Sequence, residues 1–466
     1  MGMKSSNRIS ALLWADILVA FALFVMQDYL TDVWNLSFTH AAGILNIWNG
    51  ISLVLQPFFL ILVDSVLGNF AMLVVSSTAY SVGIGLVTMS TPPVLGTCNR
   101  YEEQCVGHTQ KVLFYTGMAL IAVGVAGNNV SVKPFLEEQE ETGEGQGPNL
   151  CLKIAGAVFV VVVALTGAIA LPYIKPWTLR FGIPAICTVV ATALFLTGMC
   201  SCCWQYTINC ADRSQLRSLC RVRMIPMLMT FVFCGLVSSI GNTYFVEQAK
   251  NLDRHLGKWN VPPQVLLLVQ KGVSAALEHE KGDESATAPD GAGAQSRENQ
   301  SRIITTPGKG VVIAVSSAIL CCITAARMEF KRLGVVERRG LLDDDDADVP
   351  MSIFWLIFQF VLLGCLDKVL EKTVAKFNEA EFDDDENEGR YADNLAKGVS
   401  GLGYMCGVLS VYVVGEVSGR GGHRSWFQDT LNTSRLDRYY WVLAALGSVI
   451  LVLYSLLSCF NRQHFP

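Results

Sequence analysis

Charged side chains are scarce in this 466-residue chain, where Asp, Glu, Lys and Arg together make up 16% of the residues. Typical soluble proteins contain about 25%. The mean hydropathy is +0.40, and 52% of the residues are hydrophobic. So few charges could not cover the surfaces of two or three soluble domains, and the composition therefore indicates an integral membrane protein.

Sequence signatures of catalysis and of bound metal are also missing. There is no H-E-x-x-H zinc pattern, no G-x-x-x-x-G-K-[ST] phosphate loop and no G-x-S-x-G nucleophile turn. The six histidines fall in or near predicted loops and span ends, and the five cysteines from Cys200 to Cys220 lack zinc spacing. We therefore expect no enzyme, no metal site and no cofactor.

Long apolar runs dominate the chain instead. A transmembrane α-helix needs roughly 20 apolar residues to cross about 30 Å of hydrocarbon. Eleven runs approach this length, at 11–29, 41–64, 70–90, 112–132, 152–172, 181–202, 224–246, 309–329, 352–374, 397–417 and 439–460. A twelfth, at 262–277, is weak because its apolar part is short and is interrupted by Lys271. The runs predict an all-α membrane protein with 11–12 transmembrane helices, of which the eighth is degraded.

Loop composition predicts the sides of the membrane that the helices face. Lys and Arg concentrate in cytoplasmic loops, so Lys4 and Arg8, and the arginines between 213 and 223, are expected in the cytoplasm. The basic segment after Ala326 would lie outside with twelve spans and inside with eleven. Residues 278–308 are rich in small and charged residues, which predicts a disordered insert. The net charge of −5 comes from short acidic runs, so no nucleic-acid partner is expected.

Several stretches resemble the plant nitrate/peptide transporter family, a branch of the proton-coupled oligopeptide transporters within the major facilitator superfamily. They are YLTDVWNLSFTHAAGILNIWNG (29–50), FLILVDSVLGNF (59–70), STAYSVGIGLVTMSTPPVL (77–95), QKVLFYTGMALIAVG (110–124), RFGIPAICTVVATALFLTG (180–198), NTYFVEQAKNLDRHLG (242–257), FWLIFQFVLLG (354–364) and LNTSRLDRYYWVLAAL (431–446). The resemblance implies two helical halves, residues 1–202 and 224–466, joined by a short cytoplasmic linker at 203–223. It also implies a mid-membrane substrate cavity and alternating access.

The residues that couple transport to protons in the family are only partly present here. Where its first helix carries E-x-x-E-R, this chain has Asp16, Val19 and Ala20, so one acid remains. Asn129 replaces the lysine of the fourth helix, and Lys133, four residues later on the same helical face, is the candidate substitute. In the tenth helix, Asp367 retains a carboxylate in the position of the family's glutamate.

Three of these residues also have a structural explanation that involves no role in transport. Asp16 is a cavity carboxylate or a helix-end acid that reaches the interface. Asp367 is a substrate or proton site, or one member of a self-neutralised pair with Lys368. Lys133 opposes an anionic substrate or marks the cytoplasmic end of its helix.

Four further residues are candidates for gating. Asp64 precedes a glycine turn between the second and third helices, where the superfamily's loop motif places an acid in a gating contact. Tyr244, Glu247 and Gln248 match the outer end of the seventh helix and are predicted to belong to an extracellular gate or cap.

The sequence thus predicts a multi-pass transporter that moves a small polar or anionic solute, such as nitrate or a peptide, by alternating access with weakened or absent proton coupling. The alternative is a non-transporting or truncated relative that acts as a membrane partner or regulator, which the degraded eighth helix favours. The partners of the predicted transporter would be the solute, the lipid bilayer and, if coupling survives, protons. The oligomeric state and the choice between plasma membrane and vacuolar membrane are left open.

Overall fold

The computed structural model describes residues 19–20, 22–23, 25–92, 106–141, 162, 165–167, 169–170, 173–197, 225–279, 307–342, 348–381, 386–428 and 430–464. Asp16, the predicted linker, most of the predicted insert, and most of the predicted spans at 11–29 and 152–172 lie outside these residues. The chain divides into two compact units, Met1–Asp212 and Arg213–Pro466.

The N-terminal unit is built from helices that are apolar along most of their length. Its described helices are α1 (Met26–Asp32), α2 (Phe38–Leu62), α3 (Gly68–Ser90), α4 (His108–Glu141) and α5 (Trp177–Leu196). A π-helical turn, Val63–Leu67, joins α2 to α3. Gly68 then has a φ of 71°, a left-handed conformation that glycine adopts without steric cost and that ends the helical path. An aromatic cluster of Tyr29, Trp34, Phe114 and Trp177 forms part of the core of this unit.

The C-terminal unit contains six described helices and four short strands. The helices are α6 (Ile225–Lys250), α7 (Val265–His279), α8 (Pro307–Arg339), α9 (Ile357–Glu381), α10 (Glu386–Gly419) and α11 (Leu436–His464). The strands are β1 (Leu252–Asp253), β2 (His255–Leu256), β3 (Trp259–Asn260) and β4 (Val349–Ser352). β1 pairs in parallel with β4, and β2 pairs in antiparallel with β3.

Eight apolar helical stretches in the described part of the chain are long enough to cross a membrane. One of them, Phe38–Ser90, has 53 residues and would be about 80 Å long as a single helix, but Gly68 divides it into α2 and α3. The stretch in α11 is mostly unburied although it is strongly apolar, which is the pattern of a helix that faces lipid. These helices confirm the predicted all-α membrane architecture.

The basic segment after Ala326 is helical, because α8 continues without a break to Arg339. Pairing of β1 with β4 places the end of α8 at the same end of the unit as the end of α6. If the arginines before α6 are cytoplasmic, as the loop charges predict, the basic end of α8 lies on the outer side. Under that condition, the geometry agrees with the twelve-span alternative for this segment.

Helices α3 and α4 approach each other closely at two glycines. A Cβ atom at Gly83 would lie 2.8 Å from the carbonyl oxygen of Gly117, and a Cβ at Gly117 would lie 2.7 Å from the carbonyl oxygen of Gly83. Neither neighbour is a flexible side-chain end that could move aside. The reciprocal contact lets the two backbones touch, as small residues do in membrane helix pairs.

Replacing Gly83 by alanine is expected to destabilise the N-terminal unit by about 1–3 kcal/mol, because the added methyl group must push α3 and α4 apart. The measurement is the apparent unfolding temperature of the purified protein in detergent. Gly85→Ala is the matched control, since a Cβ at Gly85 meets no atom within 4 Å. Equal unfolding temperatures for the two variants would contradict the close packing.

Candidate functional site

Asp367 on α9 is held by side chains from two other helices. Its Oδ1 atom accepts a hydrogen bond from Ser238 Oγ of α6 at 3.2 Å, and its Oδ2 atom accepts one from Gln270 Nε2 of α7 at 2.8 Å. Beside this group, Asn242 of α6 donates to the hydroxyl of Tyr404 on α10 at 2.8 Å. Asp367 itself is half-buried. Helices α6 and α7 thus each donate one hydrogen bond to the carboxylate on α9.

Asp367 and its neighbour Lys368 have different partners. The buried Lys368 places its amino group 2.9 Å from a carboxylate oxygen of Glu371, one turn further along α9. Both hydrogen bonds to Asp367 come from uncharged donors. The two hydrogen bonds and the Lys368–Glu371 ion pair thus give Asp367 and its adjacent lysine separate partners, and the predicted self-neutralised pair is not seen.

The short helix α7 is hydrogen-bonded along one side of α9. Besides the bond from Gln270 to Asp367, Ser274 Oγ donates to the carbonyl of Gly364 at 3.0 Å. Lys372 Nζ donates to the carbonyl of Leu277 at 2.6 Å, at the end of α7, where the helix leaves its last carbonyls unpaired. Gly364 also permits close approach, because a Cβ there would overlap the carbonyl of Gln270. Helix α7, which corresponds to the predicted degraded eighth span, is therefore short but packed against α9.

The buried amide of Gln270 has one unused acceptor. Its Nε2 donates to Asp367, while its Oε1 accepts no hydrogen bond within the described part of the chain. A buried acceptor without a donor costs free energy.

A second polar group, which we call the buried ion-pair network, links α6, α8, α9 and the segment before α11. Arg332 donates to both carboxylate oxygens of Glu329, at 2.9 Å from Nε and 2.7 Å from Nη2, and both side chains are only 1% exposed. Gln248 Nε2 donates to Glu329 at 2.8 Å, and Gln359 Nε2 donates to Gln248 at 3.3 Å. The two hydrogen bonds from Arg332 and the third from Gln248 offset the hydration that the buried carboxylate of Glu329 loses.

The same arginine fixes the segment before α11. Arg332 Nη1 donates to Asn432 Oδ1 at 2.7 Å, and Nη2 donates to the carbonyl of Leu431 at 2.9 Å. Asn432 Nδ2 in turn donates to the carbonyl of Leu341 at 3.2 Å. Sequence analysis does not single out this group, because it treats the segment after Ala326 only as a run of basic residues. The signal that could have found it is the pair of opposite charges at positions i and i+3, Glu329 and Arg332, within one continuous helix.

The predicted gating residues of α6 are buried at the same end of the unit. Tyr244 packs edge-on against Phe427, with ring centroids 6.4 Å apart. Glu247 and Gln248 are also buried, and Gln248 belongs to the buried ion-pair network. All three are therefore buried within the C-terminal unit, and Tyr244 lies next to the segment that precedes α11.

The candidates in the N-terminal unit occupy more open positions. Asn129 and Lys133 are both exposed and lie four residues apart on α4, so they share one face of that helix. The adjacent Asn128 is buried and accepts a hydrogen bond from Ser76 of α3 at 2.6 Å. Asp64 is half-buried in the π-helical turn before Gly68. Asp16 lies outside the described residues.

Comparison with solved structures identifies the fold. A structure described as an auto-inhibited POT family peptide transporter has a TM-score of 0.65 and 13% identity, covering 97% of this chain and 96% of that chain. A POT family transporter in complex with 5-aminolevulinic acid has a TM-score of 0.64 and 10% identity, covering 99% of this chain and 96% of that chain. At these identities the likeness concerns the fold, and it confirms the predicted major facilitator superfamily architecture.

Comparison with curated proteins identifies the family, although no protein-family model matches the chain. The chain is 32% identical to Protein NRT1/PTR FAMILY 5.5 of Arabidopsis thaliana, over 97% of this chain and 95% of that protein. It is 25% identical to Protein NRT1/PTR FAMILY 5.12 of the same plant, over 94% of this chain and 89% of that protein. The chain therefore belongs to the NRT1/PTR family of multi-pass membrane transporters of small solutes.

Proposed function

We propose that the protein carries a small polar solute across a plant membrane by alternating access and that Asp367 contacts the solute. The observation that supports this most directly is the half-buried carboxylate of Asp367, which accepts hydrogen bonds from Ser238 and Gln270. Beside it lies the side-chain Oε1 atom of Gln270, which has no hydrogen-bond donor among the described residues. Acceptors of this kind suit a solute that bears N–H or O–H donors. Peptides and amino-acid-like compounds therefore rank above nitrate, which has no such donor.

We also propose that proton coupling is weak or absent. Symport requires groups whose protonation changes with access and is linked to substrate affinity. Asn129 stands where the family has a lysine, and Val19 and Ala20 stand where it has an acid and an arginine. Asp16 and Asp367 are the acids that remain in the matching positions. With fewer titrating groups, the solute gradient alone would drive transport.

The second candidate is a membrane partner or regulator that does not transport. The observation that favours it is the length of α7, since 15 residues make a helix of only about 22 Å, shorter than the roughly 30 Å hydrocarbon core. The hydrogen bonds from α7 to α9 count against this second candidate, because they hold the short helix in place beside Asp367 within the C-terminal unit. Both candidates are compatible with either the plasma membrane or the vacuolar membrane.

Uptake measurements distinguish these possibilities. Oocytes that express the chain would be offered a mixed panel of nitrate, dipeptides and amino acids, including 5-aminolevulinic acid, at acidic and at neutral external pH. We expect uptake of donor-bearing solutes with little dependence on pH. Uptake stimulated by acid would contradict weak coupling, and the Asp16→Asn/Asp367→Asn double variant would then test whether these acids are responsible. No uptake of any solute, with surface expression verified, would favour the second candidate.

A further inference from the structure

Helix α8 is longer than the membrane is thick. Its 33 residues extend about 50 Å, whereas the hydrocarbon core measures about 30 Å. Leu320, Arg327 and Lys331 are spaced by seven and four residues, so they lie on one stripe of the helix, and all three are exposed. The exposed stripe thus changes from apolar to basic within two turns. Such a change is expected where a lipid-facing helix leaves the hydrocarbon.

An exposed aromatic group surrounds this transition. The amino group of Lys331 lies 3.4 Å from the centre of the Trp355 ring, just before α9 begins. Phe330 and Phe358 are 68% and 62% exposed, and Trp355 is exposed as well. Aromatic rings and long basic side chains concentrate at the boundary between hydrocarbon and headgroups. These residues, Arg327, Phe330, Lys331, Trp355 and Phe358, form what we call the α8–α9 rim.

The two cations of the α8–α9 rim have no acidic partner among the residues that the structure describes. The ion pairs of α8 and α9 involve Arg332 with Glu329 and Lys368 with Glu371, and neither pair includes Arg327 or Lys331. Two exposed positive charges above a lipid-facing surface therefore lack a counter-charge from the same helices.

We propose that the α8–α9 rim binds the headgroup of an anionic phospholipid. The phosphate would accept hydrogen bonds from Arg327 and Lys331, while the acyl chains would follow the exposed apolar stripe below Arg327. Charge complementarity and continuity with the lipid-facing surface both favour a lipid over a protein partner.

The test compares lipid retention by the full-length chain and by matched variants. Purified protein would be exchanged into nanodiscs of phosphatidylcholine with a minor fraction of phosphatidylglycerol, and the lipid that remains after extraction would be counted by native mass spectrometry. Arg327→Gln/Lys331→Gln should weaken retention of phosphatidylglycerol by about fivefold for each cation removed. Arg338→Gln/Arg339→Gln removes the same charge about 10 Å further from the rim and should have a much smaller effect.

Three results would overturn the proposal. One is equal loss of retention in the two double variants, which would indicate non-specific attraction of charge. Another is an absence of preference for phosphatidylglycerol over phosphatidylcholine in the unmodified protein. The third is a rim-dependent dimer in lipid-free detergent, which would identify the rim as a contact between copies. Trp355→Leu provides an independent arm, since it keeps both cations and should reduce retention if the ring orients Lys331.

Discussion

Replacing Arg332 by methionine is expected to lower the free energy of unfolding by about 3–5 kcal/mol, because it leaves the carboxylate of Glu329 buried without its cation. The arginine makes four hydrogen bonds, two to Glu329 and one each to Asn432 and Leu431. Methionine fills much of the same volume but supplies no donor. The measurement is the apparent unfolding temperature in detergent, followed by size-exclusion chromatography with fluorescence detection.

The control is an exposed ion pair in the same unit. Lys397 and Asp393 on α10 are 2.7 Å apart, with side chains 43% and 36% exposed. Lys397→Met should therefore cost no more than about 1 kcal/mol. The double variant Glu329→Gln/Arg332→Met should recover part of the lost stability, because no unpaired charge is then buried. If Arg332→Met and Lys397→Met unfold at the same temperature, the buried ion-pair network does not stabilise the protein.

Replacing Asp367 by asparagine is expected to weaken uptake of a donor-bearing solute by about 10- to 100-fold in apparent affinity, since a hydrogen bond to a charged group contributes about 1.5–3 kcal/mol. The fold should tolerate this change. Gln270 can rotate its amide so that Oε1, which accepts no bond from the described residues, receives a bond from the new amide group. Uptake and surface expression would be measured together, so that a loss of transport is separated from a loss of protein.

Glu371→Gln is the matched control for this experiment. Its carboxylate lies one turn from Asp367 on α9, is 60% exposed and pairs with Lys368. It removes one negative charge from the same helix without touching Ser238 or Gln270. Uptake should be nearly unchanged in this variant. Equal effects of Asp367→Asn and Glu371→Gln would show that Asp367 has no direct role in solute binding.

The membrane class and the positions of most helices could be predicted from the sequence because both depend on local composition. A run of about 20 apolar residues can satisfy its backbone in lipid only as a helix. The described helices α2 to α6 and α8 to α11 accordingly overlap predicted spans, although α4, α8 and α10 each extend about ten residues beyond them. The prediction of a span at 262–277 was weak because the apolar part of this segment is short. The structure contains the 15-residue helix α7 there.

Side-chain pairing was less accessible to sequence reasoning, because it depends on residues that are distant in the chain. Asp367 could be singled out as a charged residue within an apolar run. Its partners could not, since Ser238 and Gln270 are 129 and 97 residues away. Gln248 was predicted to belong to a gate, and in the structure it is part of the buried ion-pair network with Glu329.

The sequence by itself determined that this is a helical membrane protein, and its motifs identified the family, because hydropathy and short motifs are properties of contiguous residues. Tertiary structure alone decided which polar groups lie together. The cost of burying a charge depends on the distance and direction of its partners, and no segment of sequence contains these quantities. The same basic stretch after Ala326 therefore divides into Arg332, buried in an ion pair, and Lys331, exposed on a tryptophan ring.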